Sequence, residues 1–249
     1  LLAENTPLLE DFGLSHKQLR SQVGIDDPAS PAALSGLMTG DAVVSVDGTI
    51  VTTWDEMMGL LSPSRAHQLE IKRAKRVDGE PPEIDDLSVE LKWIESWVPR
   101  EDDFFDNPWG IAPAEVFVGK VMPGKPAISA GIQSSDRLYA VNGMPVKDFG
   151  QLGVLVAQSV VGLEDTLANA GGGGCFGGVI SSLEPKPLNV TVGRQGELID
   201  LEFTPVLIGY PGISTTHWRP LMGIYSYPDA WAPGDRVNAE YSVLEAAGR

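Results

Sequence analysis

Cysteine is almost missing from this chain: Cys175 stands alone among 249 residues, so no disulfide can close within it. That fits an oxidising compartment, where stray thiols are avoided, without excluding a reducing one. Histidine is scarce too. His16, His67 and His217 are scattered, with no zinc-ligand spacing and no HExxH pair, so the chain itself is expected to hold no catalytic metal and no cofactor. Basic residues are few, 18 Lys and Arg against 34 Asp and Glu, and the net charge of −16 would repel nucleic-acid phosphates at every approach. The acidity is spread, −9 over residues 1–96 and −7 over 97–249, as a solvated surface would be. No stretch approaches the ~18 uninterrupted apolar residues of a membrane helix. There is no initiator Met, basic start or signal-peptide core, and the abrupt ends at Leu1 and Arg249 read as a soluble piece of something larger.

What is present is a repetition. "ASPAALSGLMTGDAVVSVDGTIV" from Ala29 and "GKPAISAGIQSSDRLYAVNGMPV" from Gly124 align without a gap at an offset of 95 residues. Pro31 falls on Pro126, Ala32 on Ala127, Gly36 on Gly131, Asp41 on Asp136, Val46 on Val141 and Gly48 on Gly143. That period is domain-sized, far above the 20–50 residues of solenoid repeats. With 43% hydrophobic residues, the chain can furnish two modest cores.

Each copy reads as strand, short helix, strand, turn, strand, helix, strand, strand. Ser30-Pro31 starts a helix, because serine caps and proline at the first turn forfeits no bonded N–H. Gly36 and Gly131 end that helix. Ala42–Val46 and Arg137–Val141 are strands, followed by the tight-turn dipeptides Asp47-Gly48 and Asn142-Gly143. Second helices are expected over Trp54–Leu61 and Phe149–Val160. Closing strands are expected over His67–Arg73 and Leu87–Trp93, and over Leu188–Val192 and Leu198–Phe203 around a Gly193–Gly196 turn. One more strand precedes each repeat, Gln18–Ile25 and Glu115–Met122.

"SPAALSGLMTGDAVVSVDG" and "KPAISAGIQSSDRLYAVNG" resemble the signature of bacterial PDZ domains, small β-sandwiches with two helices, circularly permuted relative to the animal form. Copy two departs at Ser134-Ser135, where Gly-Asp is usual. The resemblance implies a mainly β (α+β) chain of two PDZ domains in tandem. Domain one is expected at residues 1–96, a linker at 97–108, domain two at 109–205 with a Gly-rich insertion at 161–187, and an extension at 206–249. Two such units together are most similar to the extracytoplasmic region of bacterial site-2 proteases, the regulator-of-sigma-E (RseP-type) intramembrane zinc metalloproteases. "RPLMGIYSYPDAWAPGD" resembles the strand with which that region leaves its second PDZ domain.

This resemblance implies a periplasmic region of a bacterial inner-membrane protein that gates substrates by size and binds peptides. Its partners would be the protein's own membrane protease domain and a peptide or transmembrane substrate, such as a cleaved anti-sigma-factor-like protein. The zinc would sit in the membrane domain. Two alternatives stay open: the PDZ pair of a high-temperature-requirement-type serine protease, and a non-proteolytic PDZ scaffold.

PDZ domains bind an extended peptide on a strand edge beside the second helix, and a loop of free N–H groups can take its carboxylate. The first groove is expected at loop Phe12-Gly13-Leu14, strand residues Leu19 and Val23, and a wall of Trp54, Met57, Met58 and Leu61. The second is expected at Trp109-Gly110-Ile111, strand residues Val116 and Val118, and a wall of Phe149, Leu152 and Val156, whose helical spacing also suits simple core packing. Glu10 and Asp11 flank the first loop and would repel an anion, and Pro113 removes a donor at the second edge. These features favour a filter over tight carboxylate capture. "NAGGGGCFGG", residues 169–178, lacks the strand–loop–helix context and lysine of a nucleotide cradle and reads as a spacer in which Cys175-Phe176 could anchor.

Overall fold

The computed structural model describes residues 19–75, 83–100, 103–105, 107–161, 184–211 and 216–227. Phe12, Gly13, Leu14, Glu10, Asp11 and the Gly-rich stretch around Cys175 lie outside them.

The first repeat begins with strand β1 (Val23–Gly24) and helix α1 (Pro31–Leu34). Ser30 caps α1, its hydroxyl accepting the Ala33 N–H at 3.2 Å, with Pro31 in the first helical position. Strands β2 (Ala42–Val46) and β3 (Thr49–Ile50) follow, joined by Asp47-Gly48 with both φ positive, +50° and +79°. This is the backbone twist that a two-residue hairpin requires. Helix α2 (Trp54–Leu60) opens on a capping box: Thr53 accepts from the Glu56 N–H and the Glu56 carboxylate accepts from the Thr53 N–H. Strands β4 (His67–Lys75) and β5 (Glu83–Leu91) complete an antiparallel sheet of order β3-β2-β4-β5. Alternation puts Leu69 and Ile71 inside and Gln68, Glu70 and Lys72 outside.

Strand β6 (Ala112–Pro113) comes after a connecting segment and leads into a 3₁₀ turn, Ala114–Val116. The second repeat then retraces the first with β7 (Val118–Val121), α3 (Pro126–Ser129), β8 (Arg137–Val141), β9 (Met144–Pro145) and α4 (Phe149–Gln158). Asn142-Gly143 turns with φ of +49° and +76°, matching its counterpart in the first repeat. After the short pair β10 (Val160–Val161) and β11 (Glu184–Pro185), strands β12 (Leu188–Arg194) and β13 (Glu197–Phe203) build a sheet of order β13-β12-β8-β9. The described residues end with the antiparallel pair β14 (Val206–Pro211) and β15 (Thr216–Leu221), then β16 (Ile224–Ser226), which pairs with β7. The chain is mainly β with short helices, and its two four-stranded sheets have matching order.

Several boundaries differ from those the sequence suggests. The expected strand Gln18–Ile25 is reduced to β1 plus single bridges, Arg20 with Thr53 and Gln22 with Ala42. Glu115–Met122 splits because Ala114–Val116 coils to bury Glu115. Helix α4 stops at Gln158, and Val160 joins β10. The turn expected over Gly193–Gly196 narrows to Gln195-Gly196, φ +51° and +83°, because Gly193 and Arg194 stay paired in β12.

The largest difference concerns residues 109–113. Trp109 and Ile111 were expected to open the second domain. Instead both are buried in the first core with Trp54, Met57, Leu69 and Leu91, and β6 pairs antiparallel with β1, Val23 opposite Pro113. An apolar loop joins whichever core its chain path can reach, and hydrophobicity alone carries no address. Trp109 is fully buried, and truncating an indole so enclosed costs about 3–5 kcal/mol. The counterpart in the second repeat is β16: Met222 and Ile224 are buried with Val118, Leu138 and Leu152.

Candidate functional site

One latch is built twice. Asp41 and Asp136 are each 1% exposed. Asp41 receives the Arg73 Nε and Nη2 at 2.7 Å each, and Nη2 also reaches the Gly36 carbonyl at 2.8 Å. Asp136 receives the Arg194 Nε and Nη2 at 2.7 Å each, and Nη2 reaches the Gly131 carbonyl at 2.7 Å. The carboxylates also accept the N–H of Met38 and Gln133. Each latch ties the glycine that ends the short helix to a sheet strand, which explains why that aspartate stands in both copies of the repeat. In each pair the bond to the aspartate raises the arginine's pKa against a smaller opposing effect of burial.

The closing loops match as well. The Trp109 carbonyl accepts the Ala32 N–H at 3.1 Å, and the Met222 carbonyl accepts the Ala127 N–H at 3.0 Å. Gly110 and Gly223 both have positive φ, +66° and +88°. Trp109-Gly110-Ile111 and Met222-Gly223-Ile224 are therefore the same apolar-Gly-Ile loop, each closing its own core. The sequence reading placed the first of these at the opening of the second unit, whereas its side chains pack in the first core, and it read the second as part of an exit strand without matching the two. Their shared pattern, 113 residues apart, was the available signal.

The other expected groove residues divide clearly. Val23, Trp54, Met57 and Leu61 are buried in the first core, and Leu19 and Met58 pack partly exposed against it. The Trp54 N–H is held by the Leu19 carbonyl at 2.8 Å, which docks the start of α2 on that strand. Val118, Leu152 and Val156 are buried in the second core, with Phe149 half-buried against it. The Phe149 N–H is held by the Glu115 carboxylate at 2.7 Å. Val116 belongs to neither: with Ala112 and Phe117 it forms a small third cluster between the repeats. His67 serves the first core, with Nδ1 2.8 Å from Asp47, Nε2 2.8 Å from the Ser62 carbonyl, and its ring edge-on to Trp109. The Asp47 carboxyl is held below its ordinary range, chiefly by the Gln68 N–H and then by His67.

The aromatic stretch Glu95–Pro108 reads from the sequence as a packed joint between the repeats, but nothing in it pointed to Arg137 and its carboxylate partners. Arg137 of β8 is 5% exposed. Its Nη1 lies 2.7 Å from Asp103 and 3.4 Å from Asp26, and its Nη2 bonds Asp103 again. The guanidinium lies 4.3 Å from the centre of the Tyr139 ring, and the Tyr139 hydroxyl donates to Asp26 at 2.9 Å. Burial pushes the Tyr139 phenol far above its usual range. Asp26 comes from the first repeat, Asp103 from the connecting segment and Arg137 from the second. Nearby, the Gly196 N–H reaches the Asp26 carbonyl at 2.7 Å, and Arg100 bonds the Gly196 carbonyl. Phe117 presses on Gly24 so closely that an added Cβ would sit 2.2 Å from its ring. Asp26, Arg100, Asp103, Arg137 and Tyr139 line a small cleft with Trp97 and Phe105.

Among the described residues, no group of three or more His, Cys, Asp and Glu could hold a metal ion, and no helix is long and apolar enough to cross a membrane.

Residues 106–157 match the PDZ domain family, a span that runs from the first closing loop to the end of α4. The chain is also 28% identical over 153 residues to a protein of Neisseria meningitidis serogroup A named "Putative zinc metalloprotease". That alignment covers 59% of this chain and 32% of the relative, so the chain spans about a third of its length. This chain carries a PDZ domain and is a distant, partial homologue of that protein.

Proposed function

We propose that these residues are the extracytoplasmic tandem-PDZ region of an intramembrane site-2 zinc metalloprotease of the regulator-of-sigma-E type. They would filter substrates by size on the periplasmic side of a bacterial inner membrane and offer strand edges to extended peptide. The zinc and its ligands would lie elsewhere in the protein.

The observation that carries this reading is the Arg137 junction. Two units of matching topology do not merely follow one another; a buried arginine with carboxylates from the first repeat and the connector joins them. Such a joint leaves little independent motion, because removing one member strands a charge in a dry site at a cost of about 3–5 kcal/mol. A fixed two-lobed body can obstruct a bulky folded domain while an unfolded or trimmed segment passes. A flexible pair of tethers could not.

Cleavage by the full-length protein in liposomes tests the assignment. Hydrolysis of a single-pass substrate should require zinc and stop with a chelator, whereas the isolated 249-residue chain should hydrolyse nothing. Chelator-insensitive cleavage, or metal-dependent cleavage by the isolated chain, would refute it.

A further inference from the structure

The closing loop of the first repeat does not offer open N–H groups. Asn107 engages all three of its amides. The Asn107 Oδ1 accepts the Trp109 N–H at 3.1 Å and the Ile111 N–H at 3.4 Å, and the Asn107 backbone carbonyl accepts the Gly110 N–H at 3.3 Å. The same side chain donates through Nδ2 to the Ile111 carbonyl at 2.6 Å and to the Phe105 carbonyl at 2.6 Å. Two donors facing Oδ1 and two acceptors facing Nδ2 fix the amide's orientation, since a flipped carboxamide would oppose donor to donor and acceptor to acceptor.

The chemistry of this arrangement is that of a ligand. The last residue of an extended peptide brings a loop of this kind acceptor oxygens for its N–H groups and one N–H for its carbonyl. A carboxamide carries the same acceptor and donor on one planar group, without the charge. We propose that Asn107 is a built-in surrogate for a peptide terminus, closing the first loop to free carboxylates and making the two grooves unlike in specificity. The inference rests on reading Trp109-Gly110-Ile111 as the terminus loop of a PDZ-like unit.

The second repeat lacks the device. With Trp109 matched to Met222, the position equivalent to Asn107 is Pro220, whose side chain neither donates nor accepts. Among the described residues, no oxygen accepts the Met222 or Gly223 N–H. The first groove is thus left to internal, extended segments, if any peptide lies there, and discrimination by a chain end falls outside it.

The test is amide NMR on the isolated chain, with a seven-residue peptide ending in valine as free carboxylate and as C-terminal amide. In the wild type, the Trp109, Gly110 and Ile111 amides should resist hydrogen exchange and shift with neither peptide. In Asn107→Ala, with Asn107→Gly as the alternative if alanine prevents folding, they should exchange faster. They should then shift with the carboxylate peptide at a Kd at least about tenfold tighter than with the amide. Shifts of these amides with the carboxylate peptide in the wild type would overturn the proposal without recourse to any variant. So would a folded variant that gains no carboxylate-dependent shift. Because no cleavage is measured, failure here is distinct from failure of the protease assignment.

Discussion

Asp41 and Asp136 show how much one residue can settle. Each is buried, and each is neutralised by an arginine that also grips the end of the short helix. Arg194→Ala should cost about 3 kcal/mol in urea unfolding, since it leaves a carboxylate in the interior with its charge unopposed, and Arg73→Ala should cost a similar amount. The repeat marked both aspartates, but nothing local marked their partners, because the bonds span 32 and 58 residues. Ser135 is the opposite case. It stands where the first repeat has Gly40, and it takes a φ of +70° against +99° there. An L side chain is disfavoured in that conformation, so Ser135→Gly should raise stability by about 0.5–1 kcal/mol, read from the same denaturation curves.

At the scale of elements, the cap of α2 carries a pH dependence. The Glu56 carboxyl is held below its ordinary 4.5, first by the Thr52 N–H, then by the Thr52 hydroxyl and the Thr53 N–H. A carboxyl depressed in the folded state contributes stability fully present above its unfolded pKa and lost as pH falls through the lower, folded value. Asp47 adds to the trend in the same direction. The melting temperature should therefore drop between about pH 5 and pH 3, and Glu56→Gln should make that drop shallower while lowering stability at neutral pH. The longer elements were legible from the chain itself. Alternation located β4, β5, β12 and β13, and the turn dipeptides located the β2–β3 and β8–β9 hairpins. What periodicity could not show were the two-residue strand β6 and the three-residue β16, the latter suggested only by the resemblance of its segment to an exit strand. Neither is long enough to show a period, and both owe their existence to a partner strand and a core far along the chain. The candidate site suffered most from this, because the groove loops are the residues that begin those closing strands.

For the whole molecule, the decisive feature is that the repeats share a junction. Asp26, Asp103, Arg137 and Tyr139 form one buried polar cluster, and Phe117 fills the space over Gly24. Arg137 and Tyr139 stand inside the second copy of the repeat but opposite Ala42 and Val44 of the first, and the other members lie outside it, so what the copies share is silent about the junction. Arg137→Ala should loosen the pair without unfolding either sheet. In ¹⁵N relaxation, the two repeats of the wild type should report one common rotational correlation time, and the variant should report two shorter ones. Gly24→Ala should do the same by displacing the Phe117 ring, which is wholly buried and has no room to retreat.

The most direct measurement is cleavage by the full-length protein, in liposomes, of single-pass substrates whose extracytoplasmic domains increase stepwise in folded size. A fixed two-lobed filter predicts a sharp size threshold in the wild type and its loss in Arg137→Ala, with short substrates cut equally by both. The same threshold in wild type and variant, or none in the wild type, would contradict the account.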